Sequence, residues 1–92
     1  MNTISELLKS GNSVIVDVRT REEFMGGHVA GSINIPVSEL QDHVEELKSD
    51  KHIILCCASG ARSTRATRFL KDNGVGCTNG GSWLDANYHT NN

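Results

Sequence analysis

At 92 residues the chain is long enough for one domain with a single modest core. Its 9 Lys plus Arg against 11 Asp plus Glu leave a net charge of −2, which gives no electrostatic reason to expect nucleic acid or an acidic membrane as a partner. Aromatic residues, at 4%, are too scarce for a base-stacking platform, and the longest apolar runs, VIV and IILCCA, are far too short to cross a bilayer. In chain order, TISELLKSG predicts a short helix, with Thr3 as cap, Glu6 as its capping-box partner and Gly11 as the stop. SVIVDV, over 13–18, is a β-branched run apolar at nearly every position, the pattern of a buried strand. TREEFMGG predicts one helical turn ended by glycines, and SINIP a brief strand closed by the only proline, Pro36.

SELQDHVEELKSD predicts an amphipathic helix over 38–50, capped by Ser38, with Val37, Leu40, Val44 and Leu47 on one face. KHIILCC is a second continuous apolar strand. Residues 62–73 predict a helix with Ala66, Phe69 and Leu70 inward and Gly74 as its stop. VGCTN is a weak last strand and SWLDANYH a weak terminal helix. Strands that alternate with helices and are apolar on both faces indicate an α/β domain over 1–92. Its mainly parallel central sheet has about four or five strands, with helices on both faces. Ligands of such sheets sit beyond the carboxyl ends of the strands. Asp17 and Arg19 end one central strand there, and Cys57 ends another.

Three cysteines are an odd count, and two of them are neighbours, so a disulfide-stapled extracellular scaffold is not expected and a reducing cytoplasm is. The start of the chain has no basic segment followed by a long apolar one, so no secretory signal is expected. The four histidines have no ligand spacing with the cysteines, so no metal site is expected.

The stretch CCASGARS, at 56–63, links a strand end to a helix start. Successive N–H groups of such a loop can point inward as an anion nest, and Gly60 permits the curvature this needs. The following helix adds its positive end. A thiol held there loses its proton readily. Arg62 supplies a permanent cation with a fork suited to oxyanions. Cys57 is the candidate nucleophile, and Ala58, Ser59, Gly60, Ala61, Arg62 and Ser63 form the candidate substrate cradle.

Two counts of the loop compete. From Cys56 it is C-x5-R-S, which resembles the loop of cysteine-dependent phosphatases. From Cys57 it is C-x4-R-S, which resembles the C-x-S-G-x-R-S loop of rhodanese-like sulfurtransferases. Gly60 stands three residues after Cys57, where both families place a glycine, whereas Ser59 holds that place in the other count. Leu55, not a histidine, precedes Cys56. Cys56 therefore reads as a core residue. So does Cys77, with resolution of an oxidised Cys57 as its alternative role.

A second match carries the same resemblance. IVDVRTREEFMGGHVAGSINIP, at 15–36, is similar to the amino-terminal signature of rhodanese-like domains, through Asp17, Val18, Arg19, Glu23, Phe24, Gly27, His28, Gly31, Asn34 and Pro36. The resemblance implies a rhodanese-like three-layer fold and the minimal single-domain form of the family. It gives Asp17, Arg19, Glu23 and His28 mainly architectural roles. One departure stands out: the family commonly ends in G-G-x-x-x-W, whereas NGGSW puts Trp83 two residues after Gly81, so the terminal helix and that wall of the site are expected to differ.

The resemblance also implies ping-pong sulfur transfer. Cys57 takes the outer sulfur of thiosulfate, a polysulfide or a persulfide, and a thiol or cyanide acceptor removes it, with no metal or organic cofactor. Two other classes stay open on the sequence: a non-catalytic relay or docking module loaded by a sulfur-relay protein partner, and a phosphatase or arsenate reductase using Cys56. Arg65, Arg68 and Lys71 read as a solvated face, with Arg65 near enough to add positive potential at the entrance.

Overall fold

The apolar runs pair as their composition demands. A computed structural model describes residues 4–48 and 51–90. In it β1 (Ser13–Asp17), β2 (Ile33–Asn34), β3 (His52–Cys57) and β4 (Cys77–Ser82) form one sheet in the order β2-β1-β3-β4. All three pairings are parallel, with Ser13 opposite His52, Asp17 opposite Cys56 and Ile53 opposite Cys77. Parallel neighbours cannot be joined by hairpins, so the connections cross over the faces and bury both of them.

Strand alternation divides the core in two. Val16, Ile53, Leu55 and Cys57 meet Leu40, Leu47, Ala66 and Leu70, which come from the helical segment after β2 and from α4 (Ala61–Asp72). Ile15, Ile54 and Cys56 meet Val29, Ala86, Trp83 and the apolar side of α1 (Ile4–Lys9), the last three contacts lying with α5 (Trp83–Thr90) on the opposite face. Each fully buried Leu or Ile here contributes about 1.5–3 kcal/mol relative to exposure. The three-layer α/β architecture predicted from the sequence is the one observed. No helix among the described residues is long and apolar enough to cross a membrane.

Thr3, the predicted cap of α1, lies outside the described residues, as do Ser49 and Asp50 at the predicted end of the next amphipathic helix. α2 (Arg21–Met25) is opened by a capping box in which Thr20 Oγ1 accepts from Glu23 N and Glu23 accepts from Thr20 N; Gly26 closes it.

Three expectations change. The single helix over 38–50 is a 3₁₀ segment, Val37–His43, followed by one α-helical turn, α3 (Val44–Leu47). Ser38 makes no cap; instead Val37 N–H donates to Val18 C=O and Glu39 N–H to Pro36 C=O, tying the segment's start to the end of β1. Apolar spacings of three and four residues fit a 3.0 period almost as well as 3.6, so the pattern could not separate them. Phe69, expected inward, is 37% exposed, and the inward face of α4 is Ser63, Ala66, Thr67 and Leu70. Thr67 Oγ1 donates to Ser63 C=O, which lets a polar side chain occupy a core position at no hydrogen-bond cost.

The last strand runs through Ser82 rather than ending at Asn79. Its glycines are the reason: a Cβ at Gly80 would stand 2.9 Å from both Ile54 Cγ2 and Leu55 O, so only glycine lets β4 lie this close to β3. The ladder shifts register between Leu55 and Cys57 as it passes this pair.

Candidate active site

Cys57 is the last residue of β3, and the pleat decides where its sulfur points. Ile53, Leu55 and Cys57 share the α4 face, whereas Ile54 and Cys56 share the other. Cys57 Sγ therefore faces the start of α4. Gly60 N–H donates to it at 2.9 Å and Ser63 N–H at 3.3 Å, and Ser63 Oγ stands 3.5 Å away. The loop closes this tightly because Gly60 has φ +101°, a backbone conformation that L side chains rarely adopt. Ala58, Ser59 and Ala61 are exposed on the rim, Gly60 and Arg62 are half-buried, and Ser63 and Cys57 are buried.

Burial opposes ionisation of Cys57. The hydroxyl and amide of Ser63 and the amides of Gly60 and Ser59 outweigh it, and the thiol is brought below its ordinary value of 9.0. Cys56 is the reverse. Burial, with Asp17 nearby, pushes it up to about 12. A nucleophile at Cys56 would have to face the C-x5-R-S loop, and its sulfur lies on the far side of the sheet among Ile15, Val29, Ile54 and Ala86. Cys77 is also raised by burial, and its Sγ donates to Thr67 C=O at 3.5 Å. It pairs with Ile53, four residues down the strand from Cys57, a separation of about 13 Å. A disulfide needs Cα atoms within about 7 Å, so resolution of an oxidised Cys57 by Cys77 is excluded without unfolding.

A lowered thiol has a sign that can be checked. Because folding lowers the Cys57 pKa, its ionisation adds stability as pH rises from the folded value toward 9.0, and that gain is lost as pH falls through the folded value. Titration of thiolate absorbance is expected to show one thiol ionising below the ordinary range, a step missing from Cys57→Ser. A wild-type titration in which every thiol ionises at or above the ordinary value would contradict the nest.

Arg62 differs from expectation. Both arms of its fork are taken: Nη1 donates to Glu23 Oε1 at 2.7 Å and Nη2 to Glu23 Oε2 at 2.9 Å. Glu23 thus caps α2 with one interaction and clasps α4 with another, and Arg62 followed by Thr20 brings its carboxyl down to about 2. The signature residues behind the loop act as scaffolding. Asp17 accepts from Arg19 N at 3.0 Å, Nε at 2.9 Å and Nη2 at 2.7 Å, with both side chains buried. Arg19 Nη2 also donates to Gly27 C=O at 2.7 Å, and its guanidinium lies 4.8 Å from the Trp83 ring centroid. The shortened G-G-S-W spacing therefore still delivers an indole to this wall. Asn34 Nδ2 ties the Asp17 and Arg19 carbonyls at 3.0 Å each, and His28 Nδ1 donates to Phe24 C=O while its ring stacks on Phe24.

One contributor escaped the sequence reading. Asn79 Oδ1 accepts from Ser63 Oγ at 2.7 Å and from Gly81 N at 3.0 Å, while its Nδ2 donates to Thr64 Oγ1 at 2.9 Å. It holds in place the serine that flanks Cys57. Its only signal in the sequence is a polar side chain ahead of a glycine pair.

A model of the rhodanese-like domain family matches residues 1–88. The chain is 44% identical over 64 residues to the uncharacterized protein YqhL of Bacillus subtilis (strain 168), covering 70% of this chain and 49% of that protein. It is 32% identical over 85 residues to thiosulfate:glutathione sulfurtransferase of Homo sapiens, covering 77% and 74%. The fold is similar to the solved structure of the human single-domain sulfurtransferase TSTD1, with a TM-score of 0.74 at 33% identity over 86% of this chain and 84% of that one. The chain spans about half the length of the Bacillus relative.

Proposed function

This chain belongs to the rhodanese-like domain family, and from that premise we propose that it is a sulfurtransferase working through a persulfide on Cys57. The observation that carries the reading is the pair of inward amides, Gly60 N–H and Ser63 N–H, on a buried sulfur whose pKa is lowered. That arrangement favours a sulfur anion in either form, thiolate or persulfide.

The step is a nucleophilic displacement on sulfur. The Cys57 thiolate attacks the outer sulfur of a sulfane donor. The new Sγ–S bond forms as the donor's S–S bond breaks, and the electron pair leaves on the departing group; with thiosulfate this group is sulfite. Charge is conserved, because a thiolate and a dianion become a persulfide anion and a dianion. An acceptor thiolate or cyanide then attacks the terminal sulfur, and the electron pair of the S–S bond returns to Cys57 Sγ. No proton need move in either half. The positive end of α4 and the loop amides supply the stabilisation throughout.

Intact-mass analysis after incubation with thiosulfate, a thiosulfonate or a persulfide tests this. The expected result is a gain of one sulfur atom, removed again by cyanide. A mass unchanged by every donor would overturn the proposal, and loading only from a protein-bound persulfide would reassign the domain to a relay role.

A further inference from the structure

Arginines are the usual ligands for a dianionic oxyanion, because a guanidinium fork matches two of its oxygens. At the carboxyl edge of this sheet each of them is already matched. Arg19 is spent on Asp17, Arg21 donates through Nη2 to Glu39 at 2.7 Å, and Arg62 is held by both oxygens of Glu23. Arg62 is the sole cation between Cys57 and Ser63. Arg65 follows one turn along α4, but it is exposed, where its charge is screened by solvent and salt. The side chains of Ala58, Ser59 and Ala61 add no charge. The nest is thus built from amide dipoles, which suit a single anionic sulfur, and the one guanidinium of the loop itself, Arg62, is held by Glu23 rather than offered to a sulfonate group.

We propose that Glu23 is a specificity-determining residue: by holding the Arg62 fork on its own carboxylate, it biases the site toward sulfane donors with one negative charge, such as thiosulfonates and small persulfides, and against the thiosulfate dianion. This rests on Cys57 being the sulfur acceptor. The ionised state of Glu23 is secured by Arg62 and by the Thr20 amide, so the clasp is present throughout the neutral range.

Methanethiosulfonate and thiosulfate make a matched pair of probes. Both give up their outer sulfur to a thiolate; one releases methanesulfinate and the other sulfite, and the intact donors differ by one unit of charge. Glu23→Gln keeps the capping acceptor, since glutamine also serves at that helix position, and removes the charge that neutralises Arg62. With cyanide as acceptor, Glu23→Gln is expected to raise kcat/KM for thiosulfate relative to methanethiosulfonate by about tenfold, the scale of one uncompensated charge close to a partly screened site. Glu23→Asp shortens the arm and loosens the same contacts but retains the charge, and is expected to leave the ratio within about twofold of wild type. An unchanged ratio in Glu23→Gln, in protein that still loads Cys57, would overturn the role of Glu23 alone. Absence of loading from either donor would remove the sulfur-transfer reading and this inference with it.

Discussion

Sulfur uptake is expected to vanish in Cys57→Ser and to persist in Cys56→Ser, with the stability effects in the opposite order. A serine at 57 keeps an atom for the Gly60 and Ser63 amides to bind, so the fold is preserved while the nucleophile is lost. Activity should fall to the level without protein, a complete loss rather than a partial one. A serine at 56 exchanges the thiol for a more strongly hydrated hydroxyl packed among Ile15, Val29, Ile54 and Ala86, at a cost of about 1–3 kcal/mol. Intact mass after donor treatment, paired with urea denaturation of both variants, reads the two effects separately. Sulfur loading that survives in Cys57→Ser and is lost in Cys56→Ser would reverse the assignment and restore the six-residue loop count.

Arg19→Ala is expected to produce the largest loss of stability. Asp17 is fully buried, and its carboxylate accepts three of its four hydrogen bonds from the Arg19 side chain, leaving only that from the Arg19 N–H among the described residues once the side chain is removed. Breaking a buried pair by deleting one partner strands a charge in low dielectric, which costs about 3–5 kcal/mol. Total stability of a domain is about 5–15 kcal/mol, so the loss is a large share of it and the variant should unfold at a markedly lower urea concentration. Trp83 loses the guanidinium beneath its ring at the same time, and its fluorescence should report the change. Replacing both residues by apolar side chains of similar size should recover part of the loss, since the stranded charge goes with its partner. A change below about 1 kcal/mol in Arg19→Ala would show the pair to be dispensable.

Much of the site could be read in advance because its parts lie close together in sequence. A cysteine ending an apolar run, a glycine three residues on and a helix beginning at Ala61 are local facts, and local conformation follows from them. The positive φ at Gly60 and the inward amides of Gly60 and Ser63 needed no distant residue to be anticipated. The Arg62 fork needed one. It reaches across 39 positions to Glu23, a residue whose own neighbourhood explains it fully as a helix-capping partner, so nothing local marked it as the keeper of the loop's charge. Asn79 escaped for the same reason: its partners, Ser63 and Thr64, lie on an element 15 or more residues away.

The sequence alone determined which segments alternate between strand and helix, that the sheet is parallel and covered on both faces, and that a tight loop turning on Gly60 joins Cys57 to the next helix. It could do so because hydrophobic period, glycine placement and helix starts are properties of neighbouring residues. Only the tertiary structure decided that the segment after Pro36 tightens to 3₁₀, where the Val18 carbonyl holds its first amide, and that Phe69 turns outward. The structure alone also put Cys77 too far down the ladder to reach Cys57 and gave both arms of Arg62 to a carboxylate. Those outcomes depend on which surfaces meet once the layers pack, and the free energy of a long-range contact is set by its partner as much as by the residue itself.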